Sequence, residues 1–154
     1  MTTTSLPAVE HGIDLRCSAD HAFTVFTERI ATWWPLHVHS IGAGLDGRRA
    51  VACVIEPHEG GRVYEVLDDG TQLDWGRVVT WQPGRLLALD WNPSVTPRPY
   101  TQVEVRFTPA GDAACRVDLT HRGWELLEQP AEARASYDEG WPLTLQLVRS
   151  AAEI

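Results

Sequence analysis

Gln72-Leu73-Asp74-Trp75-Gly76-Arg77-Val78-Val79-Thr80-Trp81-Gln82 is followed by Pro83-Gly84 and then by Arg85-Leu86-Leu87-Ala88-Leu89-Asp90-Trp91. Both runs are rich in the branched and aromatic residues that suit a pleated, half-buried surface. The Pro-Gly pair between them supplies the fixed and the positive φ of a tight reversal. The stretch therefore reads as an antiparallel hairpin. Because successive side chains of a strand point to opposite faces, alternation places Trp75, Arg77, Val79 and Trp81 on one face of the first run. Leu87, Leu89 and Trp91 share a face of the second.

Working outward, further strand candidates lie at close spacing: Val51 to Glu56 and Arg62 to Leu67 before the hairpin, Thr101 to Thr108 and Ala114 to Arg122 after it. Turn signals separate them, namely Glu59-Gly60-Gly61, Asp68-Asp69-Gly70, Asn92-Pro93 and Pro109-Ala110-Gly111-Asp112. Near the N-terminus Ile13-Asp14-Leu15-Arg16-Cys17 alternates, which predicts a short strand with Ile13, Leu15 and Cys17 inward. Ser18 then reads as an N-cap, and Ala22, Phe23, Phe26 and Ile30 fall near helical spacing. One or two short helices end at Trp33-Trp34, because Pro35 disfavours helix at the residue before it. Leu36 to Arg49, with Gly42, Gly44 and Gly47, reads as a loop. From Ala131 the period turns helical, with Tyr137, Trp141, Leu145, Val148 and Ala152 on one face. Pro142 is expected to kink that helix, its ring clashing with the Asp138 carbonyl.

The fold class is thus α+β: a seven-stranded antiparallel sheet, two short helices after its first strand, and one long C-terminal helix. Residues 1–154 are expected to form one domain, with 1–10 flexible. One helix satisfies the sheet's apolar face only if the sheet curves around it. A curved sheet that one helix cannot fill leaves a cavity, and such cavities take small molecules.

Composition narrows the partners. The chain has 154 residues with 13 basic and 21 acidic side chains, a net charge of −8, which disfavours a phosphate backbone or an anionic membrane surface. Every cation is arginine, so a Schiff-base lysine, a lysine general base and the P-loop lysine are excluded. Cys17, Cys53 and Cys115 are odd in number, widely spaced and set in apolar runs, which reads as reduced core thiols. With no leader-like N-terminus and no run of eighteen apolar residues, a cytoplasmic location is expected.

Several segments resemble the SRPBCC superfamily, the START-related helix-grip domains, and within it bacterial proteins grouped with the activator of heat-shock-protein-90 ATPase. The resemblance rests on Phe26 to Ile30 through Trp33-Trp34-Pro35, His39-Ser40-Ile41-Gly42, Glu56 to Glu65, and Trp75 to Val78 through Trp81. It continues through Pro83 to Leu86, Thr101 to Phe107, Leu119 to His121 through Trp124, and Gly140-Trp141. It implies a helix-grip fold with a hydrophobic cavity and, as another use of the fold, contact with a chaperone. It fixes no reaction, because the superfamily includes binders, lipid carriers, cyclases and co-chaperones.

The expected activity is binding of a small hydrophobic ligand between sheet and C-terminal helix. A chaperone-interaction module and a small cyclase or hydrolase are the alternatives. Trp75, Arg77, Leu89, Trp91, Val105 and Trp141 are expected to line the cavity, with Trp33 or Trp34 near its mouth. Trp81 and Trp124 are expected in the core, whereas an indole N–H facing a cavity would offer a ligand one donor among apolar walls. Glu65, alternating with Val63 and Leu67, shares the apparent inner face with Arg77, so a buried Glu65–Arg77 ion pair is expected unless Arg77 serves a ligand's polar end. His121, ending a strand, points either to the cavity mouth or into a hydrogen bond with the sheet. Should chemistry occur, Glu65 and His121 are the acid/base candidates.

Other motifs read as bland. Gly42-Ala43-Gly44-Leu45-Asp46-Gly47 matches G-x-G-x-x-G, but a loop precedes it and a strand follows, the wrong context for a dinucleotide. His37, His39 and His58 could be imagined around a metal, yet surface or hydrogen-bonding roles fit their spacing better. No cofactor or metal is expected, and a homodimer is left open.

Overall fold

The computed structural model describes residues 6–44, 48–94 and 99–153. Leu45, Asp46 and Gly47 of the glycine motif, and residues 1–5 of the expected flexible terminus, lie outside the described residues.

Seven antiparallel strands form one curled sheet: β1 (Val9–Leu15), β2 (Ala50–Ile55), β3 (Arg62–Leu67), β4 (Gln72–Gln82), β5 (Leu86–Trp91), β6 (Thr101–Pro109) and β7 (Cys115–Arg122). Their order across the sheet is β1-β7-β6-β5-β4-β3-β2, a meander whose first strand joins the far edge beside the last. Between β1 and β2 come α1 (Ala19–Thr27) and the single turn α2 (Ile30–Trp33). The long α3 (Pro130–Ala152) closes the chain after a 3-10 turn at Trp124–Leu126.

Local chemistry explains the helices. Ser18 caps α1, its hydroxyl accepting the His21 N–H at 3.1 Å, and α1 buries Ala22, Phe23, Val25 and Phe26. Pro130 opens α3, where a missing N–H costs nothing. Pro142 leaves α3 one continuous helix, whose Trp141, Leu145, Val148 and Ala152 are buried. The helix runs alongside β1: Arg134 donates to the Pro7 carbonyl at 2.7 Å, His11 meets Asp138 at 2.7 Å, and Arg149 donates to the Asp14 carbonyl at 3.0 Å.

Two expectations need correction. The first strand begins at Val9, which is fully buried, so residues 9 and 10 belong to the sheet and Cys17 lies beyond the strand's end, half-buried. Arg77 is exposed and forms no pair with Glu65. Its strand does not alternate throughout. In the β3–β4 ladder Val63 faces Gly76 while Tyr64 faces Asp74, which makes Trp75 a bulge. In the β4–β5 ladder Val78 faces Leu89 while Thr80 faces Ala88, which makes Val79 a second. Each extra residue reverses the strand's phase. Trp75 and Trp81 therefore still point inward, whereas Arg77, between the bulges, and Val79, at the second, point out and Val78 is buried. Gly76 is required at the first bulge, since a Cβ there would collide with the Asp90 carbonyl. The 36–44 stretch is the expected loop, with one 3-10 turn at Gly42–Gly44, and it is tied to the core at several points.

Candidate functional site

Four indoles meet where α2, α3 and the centre of the sheet converge. Trp34 lies 5.4 Å from Trp75, 5.5 Å from Trp91 and 6.0 Å from Trp141, centroid to centroid, mostly edge-on. Buried indoles need an acceptor for the ring N–H. Trp34 donates to the His39 carbonyl (2.7 Å), Trp75 to Glu65 (2.7 Å), Trp91 to the Tyr137 hydroxyl (3.1 Å) and Trp141 to His121 Nδ1 (3.1 Å). The rings are thus held in orientation as well as packed.

Glu65 is fully buried yet sits in no ion pair among the described residues. Its carboxylate accepts the Ile41 N–H (2.5 Å), the Gly42 N–H (2.9 Å) and the Trp75 indole N–H. Three donors replace the cation that alternation suggested. Gly42 is needed for this approach, because a Cβ would stand 2.9 Å from the Ala50 nitrogen and 3.2 Å from a Glu65 oxygen. The first glycine of the apparent dinucleotide motif therefore serves backbone packing. On the neighbouring strand, burial and then the Glu65 charge push the Cys53 thiol up to about 12. Cys53 stays protonated and inert. Burial likewise raises Cys115, to about 11.

His121 is also fully buried, and burial pushes its imidazole down to about 3, so it is neutral. An indole can only donate, so Nδ1 accepts from Trp141 and the ring hydrogen is on Nε2. Nε2–H donates to the Thr101 hydroxyl at 2.7 Å, which donates to the Trp91 carbonyl at 3.2 Å. The chain of bonds links α3, β7, β6 and β5 through the core.

In front of these rings lies a cleft of about 270 Å³ walled by Trp34, Trp91, Trp141 and Tyr137, with Val38, His39 and Ser40 on one rim, Pro93 beside them, and Ser136, Gly140 and Thr144 of α3 along the other side. Of the residues expected at a ligand, Trp34, Trp91 and Trp141 line this cleft. Trp75, Glu65 and His121 stand behind the walls, while Leu89 and Val105 are in the packed core. Trp33 turns away, its N–H donating to the Val25 carbonyl at 2.8 Å and its ring against Phe26. Arg77 is on the outer face. The sequence reading missed Tyr137, Gly140 and Thr144 as wall residues, although their spacing from Trp141 puts them on one helix face. It gave no signal for His39, whose place depends on a chain reversal held by the Trp34 indole. His37 and His58 are exposed and apart from the cleft, and no group of three or more potential metal ligands occurs among the described residues. No described helix is long and apolar enough to cross a membrane.

No family model and no curated protein matches the chain. Among solved structures, an anthrahydroquino-γ-pyrone synthase, Txn09, is 34% identical over 79% of this chain and 79% of its own, with a TM-score of 0.55. The chain belongs to the SRPBCC superfamily. CalC of Micromonospora echinospora, a self-sacrificing resistance protein, shares this SRPBCC fold at 22% identity, 96% and 94% coverage and a TM-score of 0.66. The protein MLL2253 of Mesorhizobium loti does so at 16% identity, 95% and 96% coverage and a TM-score of 0.69. The latter two likenesses bear on the SRPBCC fold alone.

Proposed function

We propose that this protein binds a small hydrophobic, aromatic molecule in the cleft between α3 and the 34–40 segment. The observation that carries the reading is the convergence of three indoles and a phenol, each indole fixed by its own hydrogen bond, on one open cleft. Fixed aromatic walls favour a flat ligand, whose ring face meets indole edges without the walls first having to be ordered. At about 270 Å³ the cleft lies just under the range of roughly 300–1,000 Å³ usual for drug-sized ligands, which suits two or three rings.

A second reading, ring closure on such a molecule, is favoured by the 34% identical relative named as a γ-pyrone synthase. Glu65 and His121 are poorly placed for it, since both are sealed behind indoles with their polar atoms engaged. Acid/base duty would fall to His39, which is exposed on the cleft rim.

The test is titration with 1-hydroxyanthraquinone, following tryptophan emission. Saturable quenching at micromolar probe is expected, weakened about tenfold or more by Trp91→Ala. Absence of saturation in the wild type would sink the binding reading. Recovery of the probe unchanged, against turnover of an uncyclised aromatic precursor that His39→Ala abolishes, separates binder from synthase.

A further inference from the structure

Gly140 stands near the middle of the 23-residue α3. There glycine is the least favourable residue after proline, because it gives up the most backbone freedom on becoming helical. Structural reasons that usually justify such a glycine are missing. Its φ is not positive, and a Cβ built on it meets no atom within 4 Å, in contrast to Gly76 and Gly42, where neighbours crowd the position. The empty space beside it is the cleft, of which Gly140 is a lining residue together with Tyr137 and Trp141 on its own helix and Trp34 and Trp91 opposite. Its carbonyl is engaged by the Thr144 hydroxyl at 3.1 Å, so the exposed backbone there makes no polar demand on what lies against it.

We propose that Gly140 is the specificity-determining residue of the cleft, keeping a strip of α3 backbone bare so that a fused, planar aromatic system of about three rings fits between helix and indoles. The inference rests on the ligand-binding reading above and names the ligand class for it. A side chain at this position would project into the volume that the third ring needs, whereas a single or double ring would still fit against the indole wall. Among the described residues no carboxylate, guanidinium or ammonium group lines the cleft, whose polar side chains are His39 and Ser40 at the rim and Ser136, Tyr137 and Thr144 of α3. The buried part of the ligand is therefore uncharged, with a hydroxyl or carbonyl substituent turned toward that rim.

The experiment compares the wild type, Gly140→Ala and Gly140→Leu as full-length chains, each titrated with 1-naphthol and with 1-hydroxyanthraquinone, and melted without ligand. Expected for Gly140→Ala are a rise in melting temperature of about 2–4 °C and 1-naphthol affinity within about twofold of wild type. Its affinity for the tricyclic probe should fall by about tenfold or more, the scale at which one methyl-sized group discriminates in an apolar pocket. Gly140→Leu should lose both probes while keeping its far-ultraviolet circular dichroism. If the wild type saturates with the tricyclic probe and Gly140→Ala binds it equally well, the assignment of Gly140 is overturned while the binding reading stands. A fall in melting temperature for Gly140→Ala also overturns it, by showing that packing reserves the position. If the wild type binds neither probe, the binding reading itself falls and takes this inference with it.

Discussion

The two ends of the space between sheet and helices are filled by different chemistry. Beneath α1, Phe23 and Phe26 pack edge-on against Phe107 at 5.2 and 6.0 Å, among aliphatic neighbours such as Leu87, Val105 and Val117. These rings carry no polar atom, so packing alone constrains them. At the other end Trp34, Trp75, Trp91 and Trp141 are similarly near one another, yet each indole is tied to a separate acceptor. A ring that must keep a hydrogen bond cannot turn to fill space beside it. Trp124 marks the boundary of the rule. Its N–H is the buried side-chain donor without a partner among the described residues, and its ring packs at a tilt against His121 and Tyr137 without itself lining the cleft. Hydrogen-bonded indoles thus wall the cleft at one end, whereas apolar phenyl rings pack on one another at the other.

The largest expected effect breaks the polar end at its back wall. Glu65→Leu leaves the Ile41 and Gly42 N–H groups and the Trp75 indole buried without an acceptor. At about 1–3 kcal/mol for each of the three stranded donors, stability should fall by roughly 3–9 kcal/mol. The 36–44 rim should loosen with it. Urea denaturation reads the first and hydrogen exchange at Ile41 and Gly42 the second. A loss below about 1 kcal/mol would show that the tryptophan end is held by packing alone, like the phenylalanine end.

The next effect separates neutral from charged burial at the same end. Since the folded imidazole of His121 is depressed to about 3, protons bind the unfolded chain first as pH falls below about 6.5. Stability is then fully present above pH 6.5 and drains away toward pH 3, at about 1.4 kcal/mol per pH unit from this group. The groups around the ring, Thr101, Trp124, Tyr137 and Trp141, carry no charge at those pH values to offset the loss. His121→Gln should flatten the slope of stability against pH in that window. Equal slopes in both proteins would show that the ring accepts a proton in place.

Much of the architecture was legible in the sequence because strand alternation, turn residues and the α3 stripe are local signals. The β3 and β4 limits and the helix face of Trp141, Leu145 and Val148 all follow from period and punctuation. The site was legible by residue type more than by position. Trp34, Trp91 and Trp141 do meet at a cleft, but which indoles face it depends on acceptors from distant segments, as the His39 carbonyl shows for Trp34. Bulges are still less visible, since an extra residue leaves composition and hydrophobicity unchanged while reversing every side chain until the next one.

Arg77 is where that blindness mattered most, and there the smallest effect is now expected. Inside the sheet and paired with Glu65, it would cost about 3–5 kcal/mol to remove. Between the two bulges it is exposed, opposite Asp90 on one side and Arg62 on the other, and Arg62 is already committed to Asp74 at 2.7 Å and to the Tyr64 ring. A surface guanidinium set between a like and an opposite charge contributes little, so Arg77→Gln should change stability by no more than about 0.5 kcal/mol and leave probe binding unaltered. Val78→Gln supplies the contrast. It puts an amide where the reversed phase points inward, at a position only 2% exposed, and should cost about 1–3 kcal/mol or more. Were Arg77→Gln the damaging substitution and Val78→Gln the harmless one, the strand would alternate without interruption from Trp75 to Trp81. The pairing of Glu65 with backbone and indole donors would then have to yield to the ion pair.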